Sequence, residues 1–375
     1  MRERPAGNPG AESLSGGAAV RTGVTESMVT RAGPAVLVAQ TSFLGDVVLT
    51  TPLLTALRAA LDPRRLAVLV RPEAVPLLTG HPDVDEVLVD DKRDRDRGPS
   101  GLLRVARRLR GAGFDLAVSP HRSLRTALVL ALAGIPRRVG FTDSRGAALF
   151  HERVPRDRRR HDVERNLALL APFGTVERPP TLFVPVDEAA AARVAPLLPP
   201  GGGPLIGLAP GSVWPTKRWD PDGFAGVLRT FRDRGSRVVV LGAPEERAIA
   251  DEVVRRSGGG ATVLAGRTDL AMLVATIDRL ALLVANDSAP MHVACARGVP
   301  VVAVFCATTP TLGYGPWGPH GVVVEADLAC RPCGRHGGHR CPRGTEDCMR
   351  LVRTHDVVHA ATTLLAARGA TGTAA

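Results

Sequence analysis

A chain of 375 residues with 45% hydrophobic content is globular and long for one core, so two domains are expected. No apolar run reaches about 18 residues, so no transmembrane helix is expected, and an aromatic fraction of 3% argues against a single-strand nucleic-acid groove, where bases stack on rings. The formal charge of +11 is concentrated: Lys92 to Arg165 carries 19 Lys and Arg against 8 Asp and Glu, a field that attracts nucleic acid, anionic lipid or phosphorylated substrates.

Residues 1–33, rich in Gly, Ala, Ser and Arg and without the apolar core of a signal peptide, read as a disordered leader. The protein is therefore expected in the cytoplasm, with its six cysteines reduced or bound to metal. From residue 34 a unit repeats: a β-branched run, a loop of small residues, then a helical pattern. PAVLVAQ, LAVLV and DLAVSP begin three such units. Residues 176–203, rich in Pro and Gly, read as a linker holding one short helix, Asp187–Val194. The unit recurs from residue 204 in PLIGLAP, RVVVLG, LALLVAND and VVAVFCA. Apolar strands alternating with amphipathic helices imply parallel sheets covered on both faces. Residues 34–175 and 204–358 are thus expected to form two Rossmann-like, doubly wound α/β domains, with 359–375 a C-terminal helix and tail. Ligands belong at the carboxyl ends of the strands, in the cleft between the domains.

Five stretches carry chemistry. In TSFLGDVVLTTP, Asp46 sits where the first loop becomes a helix; it is either a general base facing the cleft or a helix cap. In APGSVWPTKRW, which holds two of the three tryptophans, Gly211 permits a sharp turn, and Ser212, Thr216 and Lys217 supply hydroxyls and a cation suited to a diphosphate. In GAPEER, Glu245 or Glu246 is placed to accept from a ribose, or to complement a helix dipole. In NDSAPMHVACARGVP, Asp287 and Ser288 open a helix and His292 lies a turn further; they hold an anion or simply cap and pack. The fifth stretch places Cys330, Cys333, Cys341 and Cys348 in a C-x2-C, x7, x6 pattern, compatible with structural zinc, free thiols, an iron–sulfur cluster or disulfides.

Taken together and in this order, SFLGD, PGSVWPTKRW, GAPEER, NDSAPMH and the CxPC…CP…CM cluster resemble the lipopolysaccharide heptosyltransferase family, glycosyltransferase family 9, especially the heptosyltransferase II type. The resemblance runs from about Ala35 to about Val358. It implies the GT-B fold, with an N-terminal acceptor domain and a C-terminal nucleotide-sugar domain, and inverting transfer of heptose from ADP-heptose. By that resemblance Asp46 is the general base and Lys217 neutralises the diphosphate, aided by Ser212 and Thr216. Asp287, Ser288 and His292 belong to the donor pocket, and Glu245 or Glu246 to the ribose. Trp214 and Trp219 brace the loop. The acceptor is the phosphorylated inner core, heptosyl-Kdo-lipid A, with Arg122, Arg125, Arg137, Arg138 and His161 as candidate contacts and peripheral contact with the inner face of the membrane. No cofactor is required for catalysis, and no nucleic acid is expected as partner. Ala289 stands where the family usually carries glycine, and FCATTP stands where FGPTDP is common. The alternative within the family is another nucleotide sugar or an acceptor outside lipopolysaccharide.

Overall fold

The computed structural model describes residues 20–21 and 32–372. The expected leader lies outside the described residues, apart from Val20–Arg21 and residues 32–33.

The first sheet is built from β1 (Val20–Arg21), β2 (Ala35–Ala39), β3 (Arg65–Val70), β4 (Glu86–Val89), β5 (Leu116–Ser119), β6 (Arg137–Phe141) and β7 (Glu152–Val154). Its order is β1-β4-β3-β2-β5-β6-β7, parallel except for β1 against β4. The helices are α1 (Leu44–Val48), α2 (Thr51–Leu61), α3 (Gly98–Ala112), α4 (Leu124–Leu132) and α5 (Asp162–Leu167). The second sheet contains β8 (Leu205–Ala209), β9 (Arg237–Val240), β10 (Thr262–Val263), β11 (Leu282–Asn286), β12 (Val301–Phe305) and β13 (Gly321–Glu325) in the order β10-β9-β8-β11-β12-β13, all parallel. Around it lie α6 (Glu188–Val194), α7 (Pro221–Asp233), α8 (Arg247–Arg256), α9 (Leu270–Asp278), α10 (Ala289–Ala296), α11 (Asp347–Arg350) and α12 (Thr354–Gly372).

The central strands β2, β8, β11 and β12 are buried along their whole length. Parallel strands covered on both faces are built that way, which is why their sequences are runs of Val, Leu and Ala rather than alternations. In each sheet the winding reverses once, between β2 and β5 and between β8 and β11. Crevices at the carboxyl ends of parallel strands open at such switch points. The short helix expected in the linker is α6, whose first turn is capped by Asp187 Oδ1 accepting from the Ala190 N–H at 2.8 Å. It packs with Ala190 and Val194 on Met272 and Ala275 of α9.

One stretch, Leu44–Leu61, is long and apolar enough to span a membrane by composition. It is divided into α1 and α2 by a turn at Leu49–Thr50, and Val47, Val48, Leu49, Leu53, Leu54 and Leu57 are buried in the main core. That core is shared: it joins Val36, Val38 and Val68 of the first sheet to Leu205, Leu283 and Val301 of the second.

Candidate active site

The loops that leave β2 and β5 at the first switch point line a cavity of about 560 Å³. Gln40, Thr41, Ser42, Phe43 and Asp46 come from the first loop, and Pro120, His121, Arg122 and Ser123 from the second. The far wall belongs to the second half of the chain: Tyr314, Arg335 and His336.

Asp46 is both a cap and a cavity-wall residue. Its carboxylate accepts from the Ser42 hydroxyl and from the Phe43 N–H at 3.2 Å, closing the first turn of α1, and it faces the cavity. Its pKa is raised to about 6 by burial and then by the negative charge of Asp162; the Ser42 and Phe43 hydrogen bonds and Arg156 oppose the rise. Asp162, 5% exposed, is held by Arg156 at 2.8 Å and Arg165 at 3.3 Å. A carboxylate with this pKa is ionised at neutral pH yet basic enough to take a proton.

The cavity is cationic. Arg71, Lys92, Arg93, Arg122, Arg145, Arg156 and Arg335 line it against three carboxylates, Asp46, Asp143 and Asp162. Most of these cations lie one to four residues past the carboxyl end of a strand: Arg71 after β3, Lys92 after β4, Arg122 after β5, Arg145 after β6, Arg156 after β7. Lys92 Nζ donates to the Thr41 carbonyl at 2.6 Å. His121 Nδ1 lies 3.0 Å from Thr41 Oγ1 and 2.9 Å from Thr126 Oγ1. Burial first, and then Lys92, Arg71 and Arg122, push its pKa down to about 3, so the ring is a neutral polar group among cations.

Of the five acceptor candidates, the structure brings only Arg122 into the cavity, where it pairs with Asp143 at 2.8 Å. Arg125 is spent on the buried carboxylate of Asp90, at 2.8 Å. Arg137 pairs with Glu152 on the surface and lies over the Phe173 ring. Arg138 donates to the Leu149 and Ile135 carbonyls. His161 belongs to a joint between the two halves. Its Nδ1 accepts from the Val163 N–H at 3.2 Å, its Nε2 donates to the Gly315 carbonyl at 3.0 Å, and its ring stacks on Trp317. The Asp162 N–H donates to Gly313 O at 2.8 Å in the same joint.

The second switch point gathers the expected donor residues. Lys217 Nζ pairs with Asp287 Oδ2 at 2.6 Å, and the same oxygen accepts from Thr308 Oγ1 at 2.7 Å. Asn286 ties the two loops together: its Nδ2 donates to the Pro210 carbonyl at 2.8 Å and its Oδ1 accepts from the Trp219 N–H at 3.0 Å. Arg218 clamps the Ser212 carbonyl at 2.9 and 2.7 Å. Trp219, 1% exposed, anchors the loop by donating to Val352 O at 3.0 Å. Trp214 instead meets His339 edge to face. Thr216 is bound to Gly338: its Oγ1 donates to Gly338 O at 2.9 Å and accepts from Gly338 N at 2.8 Å. Glu246 rather than Glu245 faces this loop. Its carboxylate accepts from the Ala243 N–H at 2.9 Å and occupies the space a Cβ on Gly211 would need, whereas Glu245 is exposed. Ser288 starts α10 with its hydroxyl on Asn286 O at 3.3 Å.

The two sites meet through His292. It is buried on α10, its Nδ1 has no partner, and its ring lies against Gly45 of α1, where an added Cβ would stand 2.8 Å from Cδ2. Burial pushes its pKa down to about 4, Asp287 acting in opposition. Asp46 and the Lys217–Asp287 pair thus sit on elements pressed together at one point.

The cysteine segment has an unexpected place. All six cysteines are free thiols, and among the described residues no three His, Cys, Asp or Glu side chains gather to hold a metal. The segment covers the cleft and supplies Arg335 and His336 to the cavity. It is held by Arg331, missed in the sequence, which donates to Phe305 O at 2.9 Å and Thr308 O at 2.6 Å and pairs with Glu325 at 2.7 Å.

Residues 102–339 match the family described as glycosyltransferase family 9 (heptosyltransferase). Among curated proteins, the chain is 26% identical to lipopolysaccharide heptosyltransferase 3 of Escherichia coli (strain K12) over 73% of this chain and 82% of that one. It is 27% identical to lipopolysaccharide heptosyltransferase 2 of the same strain, over 73% and 83%. Among solved structures, it is similar to the family 9 glycosyl transferase of Veillonella parvula DSM 2008, with TM-score 0.80, 27% identity and coverage of 88% and 97%.

Proposed function

Since the chain belongs to glycosyltransferase family 9, the heptosyltransferases, we propose that it moves heptose from ADP-heptose to the phosphorylated inner core of lipopolysaccharide, with inversion at the anomeric carbon. The names of its E. coli relatives support that class of substrate. The observation that carries the reading is the apposition of α1 and α10: it sets a carboxylate of raised pKa in a cationic cavity of about 560 Å³, beside a lysine-bearing Gly-Ser loop.

Asp46 takes the proton of the acceptor hydroxyl as that oxygen attacks the anomeric carbon. The bond from that carbon to the diphosphate oxygen breaks, and ADP leaves with the electron pair. Lys217 meets the charge that develops on the diphosphate, where a unit-charge pair at about 4 Å and an effective dielectric near 20 contributes on the order of 4 kcal/mol before desolvation. Asp287 orients Lys217 rather than touching the diphosphate, since a carboxylate there would repel it. Ser212 and the N-terminus of α10 face the same phosphates, and Glu246 is the ribose residue. No cofactor enters these steps. The net positive charge of the cavity suits an acceptor bearing phosphate or carboxylate groups, and the enzyme works at the cytoplasmic face of the membrane.

The test is ADP release from ADP-heptose with a heptosyl-Kdo-lipid A acceptor. Asp46→Ala is expected to lower kcat by ~10²–10⁴-fold with donor binding retained, and Lys217→Ala to weaken both donor binding and turnover. Unchanged turnover in Asp46→Ala overturns the base assignment. A wild-type protein that binds donor but does not turn over requires a different acceptor.

A further inference from the structure

The helices α3 and α4 form the outer layer of the first sheet. Val105, Leu109, Ala127 and Leu130 pack on the face of that sheet opposite the core shared with the second half. Together they carry five arginines and no Asp or Glu. Three of the seven exposed large hydrophobic side chains among the described residues also lie on them: Leu103 at 40%, Leu124 at 46% and Leu132 at 41%. Arg108 and Arg125 turn inward, to the Val89 carbonyl and to Asp90. Arg104, Arg107 and Arg110 are exposed; Arg104 reaches the buried Asp96 at 3.5 Å, and Arg110 reaches across to Leu132 O at 2.6 Å. On this layer exposed leucines lie among exposed arginines. They fit an interface that is anionic at the headgroups and apolar just beneath.

We propose that the α3–α4 layer is a docking surface for an anionic lipid bilayer. The surface runs into the cavity, because Lys92 and Arg93 lead towards α3 and Arg122 and Ser123 lead directly into α4. A substrate anchored in that bilayer by acyl chains is therefore presented to Asp46 from its own membrane; this last consequence rests on the acceptor class proposed above, while the docking itself does not.

The experiment is co-sedimentation of the full chain with vesicles of phosphatidylcholine alone or with about 30% phosphatidylglycerol, at low and physiological salt. Binding to the anionic vesicles and not to the neutral ones is expected. Each basic residue near such a surface contributes about fivefold, so Arg107→Glu with Arg110→Glu is expected to weaken binding at least about 25-fold. Leu103→Ser with Leu132→Ser is expected to weaken the binding that persists at physiological salt. Both variants are expected to stay folded, with a wild-type far-ultraviolet circular dichroism spectrum and a cooperative melt, and to keep the wild-type turnover of a deacylated, soluble acceptor. The vesicles contain no acceptor sugar, so a failure of the acceptor assignment leaves this result readable. Equal sedimentation with both vesicle types, variants that bind like the wild type, or retention by duplex nucleic acid with no vesicle binding would each overturn the proposal.

Discussion

Asp46 holds two positions that the sequence presents as alternatives. It closes the first turn of α1 through Ser42 and Phe43, and its oxygens line the cavity. The pKa of about 6 makes a prediction whose sign follows from the proposed role of general base: a base must be ionised, so kcat/KM should fall about tenfold per unit of pH below that value. Removing the neighbouring charge with Asp162→Asn should move this acid limb to lower pH, read from the pH profile, while Asp46→Asn should abolish the limb with the activity. The thiols differ as sharply. Burial raises the Cys306 pKa well above the ordinary thiol range and that of Cys295 to about 11, whereas backbone N–H groups of the 343–346 turn lower that of Cys341. Thiolates are the reactive species. Alkylation at neutral pH followed by peptide mass spectrometry should therefore label Cys341 first and Cys306 last. A pattern C-x2-C records spacing and carries no information on which thiols are buried.

At the scale of elements, the long central strands and the loops after β2, β8 and β11 were legible, because buried parallel strands are nearly unbroken apolar runs and Gly-Ser turns are rare. The short strands β4, β6, β7, β10 and β13 were not assigned as units of the repeat; β6 and β7 open with Arg and Glu and have little apolar signal. Density of charge points to Arg125, Arg137 and Arg138, whereas position decides which cations line the cavity: Arg145 and Arg156 follow β6 and β7, which carry little apolar signal, and Arg71 follows β3, whose run LAVLV is plain but whose loop carries no motif. The cysteine segment shows a further limit, since a stretch read for its cysteines contributes an arginine and a histidine to the cavity. Its attachment is testable. Arg331→Ala removes hydrogen bonds from a side chain 3% exposed and leaves Glu325 unpaired. A loss of about 2–3 kcal/mol is expected in denaturant unfolding, with faster proteolysis inside residues 326–346.

For the whole molecule, two sheets do not amount to two independent bodies. One buried cluster runs from Val36 and Val68 to Leu205, Leu283 and Val301, and α5 grips the 312–315 carbonyls of the other half. A protein built this way should unfold in a single calorimetric transition, with the van't Hoff and calorimetric enthalpies equal; two separated peaks would show that the shared core does not couple the halves. Saturating ADP should move that one transition upward as a whole, by about 2.7 kcal/mol of added stability at 100-fold excess over Kd.

The pair of hydrogen bonds between Thr216 and Gly338 has a kinetic consequence. They join the loop after β8 to the segment that carries Arg335 and His336. On the donor assignment proposed above, a nucleotide settling on that loop also settles the wall against which the second substrate must fit, and the expected order of addition is sugar nucleotide first, acceptor second. Initial-rate patterns with ADP as inhibitor should be competitive against the sugar nucleotide and noncompetitive against the acceptor, and replacing Thr216 by valine should loosen that order towards random addition.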